Sequence, residues 1–116
     1  MINSTNLKNN NWQHVVLIRK SGVVFGYLDG ANMLISGNSG ADFNCVNNIG
    51  TRIGAVSGTT PSAFMKGFLD EIRIYNTALS TSQIKQNYIA GLNSLLASGS
   101  ISKEEYDQRL NSLALN

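Results

Sequence analysis

The chain has 116 residues, of which 42% are apolar and 14% are charged, and its formal net charge is +2. This length suits one globular domain with little room for a second. Lys and Arg form no cluster, so the sequence gives no indication of a nucleic-acid or anionic membrane surface. One cysteine, Cys45, and one histidine, His14, exclude an intrachain disulfide and argue against His/Cys metal sites.

Residues 12–36 predict a β-meander. Ser21-Gly22 and Asp29-Gly30 are two-residue hairpin signals, because both turn types that fit such hairpins favour Gly with a short polar partner. They separate runs rich in Val, Ile and Leu, and we expect strands at 14–20, 23–28 and 33–36. Trp12, at the start of the first strand, is expected in the core.

A long loop is predicted over residues 37–51, where periodicity is absent and turn-forming residues are frequent. Loops at the ends of β-sandwiches commonly carry binding residues. The loop contains carboxylate, amide and aromatic groups, which are the side-chain groups suited to recognising sugar hydroxyls. The candidate ligand-binding residues are Asp42, Phe43, Asn44, Asn47 and Asn48. The alternative is an ordinary connection that is polar because it is exposed.

Two more strands are expected, a short one at 52–56 and the longest at 63–75. Period-two alternation in the longest strand places Asp70 on the same face as Phe68, Ile72 and Ile74, which predicts a carboxylate turned to the core. A buried carboxylate requires compensation. Asp70 and Glu71 point to opposite faces of such a strand and could not flank one sugar bond, so no glycosidase pair is present and we expect no enzyme.

The pattern changes to helical at Ser80, where Ser80 and Gln83 have the spacing of a capping box. Ser102 and Glu105 repeat that spacing. Apolar residues at helical intervals follow both starts, so 84–113 is predicted to be a helical hairpin, which Gly91 weakens and in which Gly99 ends the first helix. We therefore divide the chain into a β part, residues 1–79, and a helical hairpin, residues 80–116.

Two stretches resemble a known family. "NWQHVVLIRKSGVVFGYLDG" is similar to the central strands of laminin-G-like, concanavalin A-like lectin/glucanase jelly-roll domains, and "IGAV…FMKGFLDEIRIYNTALSTSQI" is similar to their C-terminal signature. The tail "LNSLLASGSISKEEYDQRLNSL" resembles short two-helix motifs that follow many bacterial domains. The resemblance implies a mainly β, antiparallel jelly-roll-like sandwich, but a partial one of about six strands where a complete domain has about a dozen.

The resemblance also implies a function. It suggests a lectin-like, non-enzymatic binding module of a surface or secreted bacterial protein, with a glycan or glycoconjugate as ligand, and a structural or protein-interaction role in a surface assembly as the alternative.

In that family the aspartate at Asp70 can hold a structural calcium ion, which needs six to eight oxygens. Hydrogen bonds from neighbouring N–H groups or from Arg52 are the other way to compensate it. Open sheet edges would favour self-association. The location implied is extracellular or at the cell surface, and no apolar run is long enough for membrane insertion.

Overall fold

Three antiparallel strands and two helices follow one another in the computed structural model, which describes residues 10–33, 52–56 and 60–114. The strands are β1 (Val15–Lys20), β2 (Val23–Leu28) and β3 (Ala31–Met33), and the helices are α1 (Thr81–Ala97) and α2 (Lys103–Ala114). The chain divides into two compact units, residues 1–41 with 76–116 and residues 42–75.

The meander of the first unit confirms the predicted antiparallel sheet, with strand order β1-β2-β3. Both turns have positive φ at both central residues, 52° and 78° at Ser21-Gly22 and 50° and 79° at Asp29-Gly30. That is the type I′ geometry, whose twist matches the flanking strands. Since the second turn occupies only two residues, β3 begins at Ala31, two residues before the predicted start.

Both faces of the β1–β2 pair carry exposed apolar side chains. Leu17 pairs with Gly26 on one face and is 59% exposed, whereas Phe25 pairs with Ile18 on the other face and is 37% exposed. Trp12 is 39% exposed, so its expected place in the core is wrong. The sheet therefore keeps considerable apolar surface in contact with water.

Helix α1 begins at a complete capping box. The Gln83 backbone N–H donates to Ser80 Oγ (3.1 Å), and the Ser80 N–H donates to Gln83 Oε1 (2.9 Å). The helix runs without a break through Gly91, the residue predicted to weaken it. It ends at Gly99, whose φ of 74° lets its N–H reach the Leu96 carbonyl while the Ser100 N–H reaches that of Leu95.

Helix α2 is preceded by Ser102, whose Oγ accepts the Glu105 backbone N–H at 3.1 Å. The helical hairpin has its own core, and Tyr106 Oη donates a hydrogen bond to Asn93 Oδ1 across it (2.7 Å). The buried cluster consists of Tyr88, Leu92, Ile101 and Leu113. Neither of the described helices combines the length and the hydropathy needed to cross a membrane.

The end of the sheet packs tightly on this cluster at Gly30. A Cβ placed on Gly30 would lie 2.6 Å from Leu113 Cδ1 and 3.3 Å from Tyr88 Cδ1, closer than side-chain atoms normally approach. The His14 ring stacks on that of Tyr88 with centroids 5.9 Å apart. The turn end of the meander and both helices thus meet in one place within the first unit.

The second unit departs from the prediction. Among its described residues, 52–56 and 60–75, regular pairing is limited to one bridge, Val56 to Ser62, so the strands expected at 52–56 and 63–75 are wrong there. Positive φ at Ala63 (49°) and Glu71 (52°) interrupts the extended backbone. No neighbouring strand in the described part of this unit offers 63–75 a ladder of hydrogen bonds, and without one a strand does not form. The count of about six strands is not reached in the described residues.

Candidate functional site

The five predicted ligand-binding residues of the long loop lie outside the described residues. Binding by Asp42, Phe43, Asn44, Asn47 and Asn48 therefore stays a prediction.

Asp70 is described, and its surroundings differ from the expectation. It is exposed, as are its supposed core-side neighbours Phe68 (86%) and Ile74 (84%), so the predicted inward facing is wrong. Its Oδ1 accepts the Glu71 backbone N–H at 2.8 Å, one of the two predicted kinds of compensation. Glu71 in turn pairs with Arg73 at 2.6 Å in an exposed contact.

A calcium shell is not assembled around Asp70 by the described residues. Among these residues no group of three or more His, Cys, Asp or Glu side chains is placed to hold a metal ion. Calcium prefers six to eight oxygens, and one exposed carboxylate that already accepts a backbone N–H supplies little of that. Calcium binding at Asp70 stays a prediction.

A cleft that the sequence did not predict lies in the first unit, between the turn end of the sheet and α2. It has a volume of about 590 Å³, within the usual range of 300–1,000 Å³ for small-molecule sites. Its walls come from the chain before β1, from the β2–β3 turn, from α1 and from one side of α2. The lining residues are Asn11, Gln13, Leu28, Asp29, Ala31, Tyr88, Ser102, Glu104, Glu105, Gln108, Arg109, Ser112 and Leu113.

The sheet side of the cleft is fixed by Asp29. This residue sits in the type I′ turn, its backbone N–H donates to the His14 carbonyl (2.8 Å), and its Oδ1 accepts the His14 N–H (2.8 Å). The turn favours a short polar residue before Gly30, and the aspartate that occupies this position also contributes a carboxylate to the lining of the cleft.

The helix side is fixed by Arg109. Its Nε and Nη2 donate to Glu105 Oε1 at 3.1 and 2.7 Å, and its Nη1 donates to the Trp12 carbonyl at 2.8 Å. Burial lowers the pKa of Arg109, but hydrogen bonds and charge interactions with Glu105 and Tyr88 outweigh it and leave the pKa raised. The side chain is only 16% exposed, and its guanidinium links α2 to the segment that precedes β1.

Tyr88 closes the inner end of the cleft and is 4% exposed. Burial raises the pKa of its hydroxyl, and the negative charge of Asp29 raises it further, whereas Arg109 lowers it by charge and hydrogen bond. The net shift is upward, so Tyr88 stays protonated at neutral pH and is able both to donate and to accept a hydrogen bond.

The chemistry of the cleft is that of a polar binding groove with an apolar part. Side-chain amides and hydroxyls offer donors and acceptors, carboxylates offer acceptors, and Ala31, Leu28 and Leu113 offer apolar surface. Sequence reasoning missed it because it depends on contacts such as Arg109 to Trp12, 97 positions apart. The polar side of α2 around Gln108 was the feature of the sequence that could have indicated a cleft there.

Comparisons with known proteins agree on the fold. A search of curated proteins found no match. Among solved structures, an S-layer domain-containing protein from Clostridium thermocellum ATCC 27405 is similar, with 23% identity and a TM-score of 0.57 over 71% of this chain. The chain spans 41% of that crystallised chain, and at this identity the likeness shows the fold alone.

The family is shown by a sequence profile. The profile described as the concanavalin A-like lectin/glucanases superfamily matches residues 1–85. This match takes in both stretches on which the resemblance was based, and it covers well over half of the 116 residues. The chain therefore belongs to the concanavalin A-like lectin/glucanase superfamily.

Proposed function

We propose that this chain is a non-enzymatic, lectin-like module of a surface or secreted bacterial protein and that it binds carbohydrate. The observation that carries the proposal is the cleft between the turn end of the sheet and α2. Saccharides present alternating hydroxyls and C–H faces, and the cleft offers polar groups beside the apolar surface of Ala31 and Leu113. The S-layer domain of the similar structure supports a surface location.

The absence of a catalytic role is part of the proposal. Hydrolysis of a glycosidic bond requires two carboxyl groups that face one another across the bond. Of the three carboxylates among the described lining residues, Glu105 accepts hydrogen bonds from Arg109, Asp29 accepts the His14 backbone N–H, and Glu104 is exposed. These contacts favour fixed hydrogen-bond acceptors over an acid and a base that exchange protons.

A test of carbohydrate binding is a glycan array followed by titration of the best neutral oligosaccharide. Ser112→Trp places a large side chain in the cleft, and Asn111→Trp places the same side chain one position along α2, where the residue does not line it. We expect Ser112→Trp to weaken binding at least tenfold and Asn111→Trp to leave it unchanged. Binding that survives Ser112→Trp but is lost on Asn47→Ala would move the site to the long loop.

A second function is favoured by a separate observation. Leu17 and Phe25 are exposed on opposite faces of the β1–β2 pair, and exposed apolar surface of this kind is typical of protein contacts. A structural or protein-interaction role in a surface assembly, including self-association, would use it. Sedimentation velocity over a wide range of protein concentration tests self-association, and a concentration-independent monomer that binds a glycan would contradict it.

A further inference from the structure

We propose that the cleft selects uncharged saccharides and rejects acidic ones such as uronic acids. This inference rests on the proposed carbohydrate-binding function and names its ligand class. It follows from the charges of the described residues that line the cleft, from the contacts and the low exposure of the arginine among them, and from the opposite sign of the net charge of the whole chain.

Among the residues that the structure describes, three carboxylates and one guanidinium line the cleft, those of Asp29, Glu104, Glu105 and Arg109. Two negative charges are therefore left over. Glu104 and Glu105 both lie in the first turn of α2, and Glu104 is exposed. An acidic sugar entering the cleft would bring a third negative charge close to carboxylates that are already uncompensated, which is unfavourable at any dielectric constant between water and protein.

The cation of the cleft is not placed to receive a ligand carboxylate. Three of the five N–H groups of Arg109 are already used, two for Glu105 and one for the Trp12 carbonyl, and the side chain is only 16% exposed, so little of the guanidinium is accessible to a ligand. Of the lysines that the structure describes, none is among the lining residues; Lys103 pairs with Asp107 at 2.5 Å, and Lys85 Cγ would lie 3.7 Å from a Cβ placed on Gly30. The negative charge of Asp29 is also felt inside, where it contributes to the raised pKa of Tyr88.

The net charge of the whole chain is opposite in sign to the charge of the described cleft lining, so the two charges favour different ligands. A formal net charge of +2 would attract acidic polymers through long-range, non-specific electrostatics. A preference for neutral sugars must then come from the local field of the cleft, and it should persist when salt screens the long-range attraction.

The experiment uses matched pairs of oligosaccharides on the whole chain, mannotetraose with tetramannuronic acid and galactotetraose with tetragalacturonic acid, titrated at low and at physiological ionic strength. The members of a pair differ in the carboxylate at C6. We expect the neutral member of the better pair to bind roughly tenfold more tightly, a ratio that one close like-charge contact in a partly screened site would produce.

Glu104→Lys is the diagnostic variant, with Asp107→Lys as its matched control. Both change the chain by two charges on the same exposed helix, but Asp107 does not line the cleft. We expect Glu104→Lys to reduce the neutral-to-acidic ratio several-fold and Asp107→Lys to leave it near the parent value. Equal affinity of both members of a pair, or equal effects of the two variants, would overturn the selectivity while leaving carbohydrate binding intact. A chain that binds none of the neutral probes and no neutral glycan on the array would overturn the proposed function itself.

Discussion

At the scale of single residues, Asp70 illustrates how a side chain's role depends on its surroundings. Its period-two neighbours suggested burial, but the side chain is exposed and accepts one backbone N–H from the next residue. A local contact of this kind is available in many unfolded conformations as well, so it adds little to the free energy of unfolding.

We therefore expect Asp70→Ala to change the free energy of unfolding by less than about 0.5 kcal/mol, as for other exposed positions without a special backbone role. Urea unfolding followed by circular dichroism would measure it, with and without calcium. A loss of about 1–3 kcal/mol, or a melting temperature that rises with calcium, would mean that the carboxylate has buried donors or an ion as partners.

Tyr88 gives the second prediction at this scale. Its pKa is raised in the folded chain, chiefly by burial, so between its unfolded and folded pKa values the folded state binds more protons than the unfolded state. The free energy of unfolding should consequently fall as pH rises above about 10, the ordinary tyrosine value. Tyr88→Phe should flatten this slope relative to the parent chain, as measured by urea unfolding at several alkaline pH values. Identical slopes in both chains would contradict the upward shift.

At the scale of elements, the parts that the sequence predicts well are those whose signals are local. Asp29-Gly30, the capping box at Ser80 and the stop at Gly99 each act through hydrogen bonds within a few residues. The segment 63–75 has an equally regular pattern, but a strand needs a partner from elsewhere, and alternation alone does not supply one. The cleft was missed for the same reason, because its walls meet only through contacts between distant parts of the chain.

The two serine caps give a prediction for the helices. Ser80 Oγ and Ser102 Oγ each accept a backbone N–H at 3.1 Å, so Ser80→Ala and Ser102→Ala should each cost about 1 kcal/mol of stability. At Ser80 the reciprocal bond is also present, with the Ser80 backbone N–H donating to Gln83 Oε1, whereas the Glu105 side chain accepts from Arg109 instead. Thermal melts of both variants that overlay the parent would show that these caps contribute nothing.

Replacing two glycines of the helical hairpin by alanine should change the free energy of unfolding in opposite directions. A Cβ on Gly91 would meet nothing within 4 Å, so Gly91→Ala should stabilise α1 by about 0.5–1 kcal/mol through the lower entropy of the unfolded chain. Gly99 has open space too, but its φ of 74° disfavours a side chain, and Gly99→Ala should destabilise by about 1–2 kcal/mol. Urea unfolding of the pair checks both signs, and a loss at Gly91 would indicate that the helix is interrupted there.

At the scale of the whole molecule, the chain divides into two compact units, and the division into a β part, 1–79, and a helical hairpin, 80–116, stays a prediction. The meander and the helical hairpin share the first unit, where Gly30 admits Leu113 and Tyr88 at close range and His14 stacks on Tyr88. The hairpin thus acts as a packing partner for the turn end of the sheet, while the middle of the sheet keeps its apolar faces exposed. The candidate cleft exists because of this docking and would be lost without it.

Arg109 is the polar part of that docking, and it provides the last prediction. Arg109→Met keeps most of the apolar stem but removes the bond to the Trp12 carbonyl and the pair with Glu105. Hydrogen bonds to charged groups contribute about 1.5–3 kcal/mol, so we expect a loss within that range together with faster amide exchange at the start of β1 and in α2. Arg73→Met is the matched control, because it removes a guanidinium that is 58% exposed and paired only at the surface, where such pairs contribute little to stability. Equal losses in the two variants, or unchanged exchange at β1 in Arg109→Met, would mean that the hairpin is held to the sheet by apolar contacts alone.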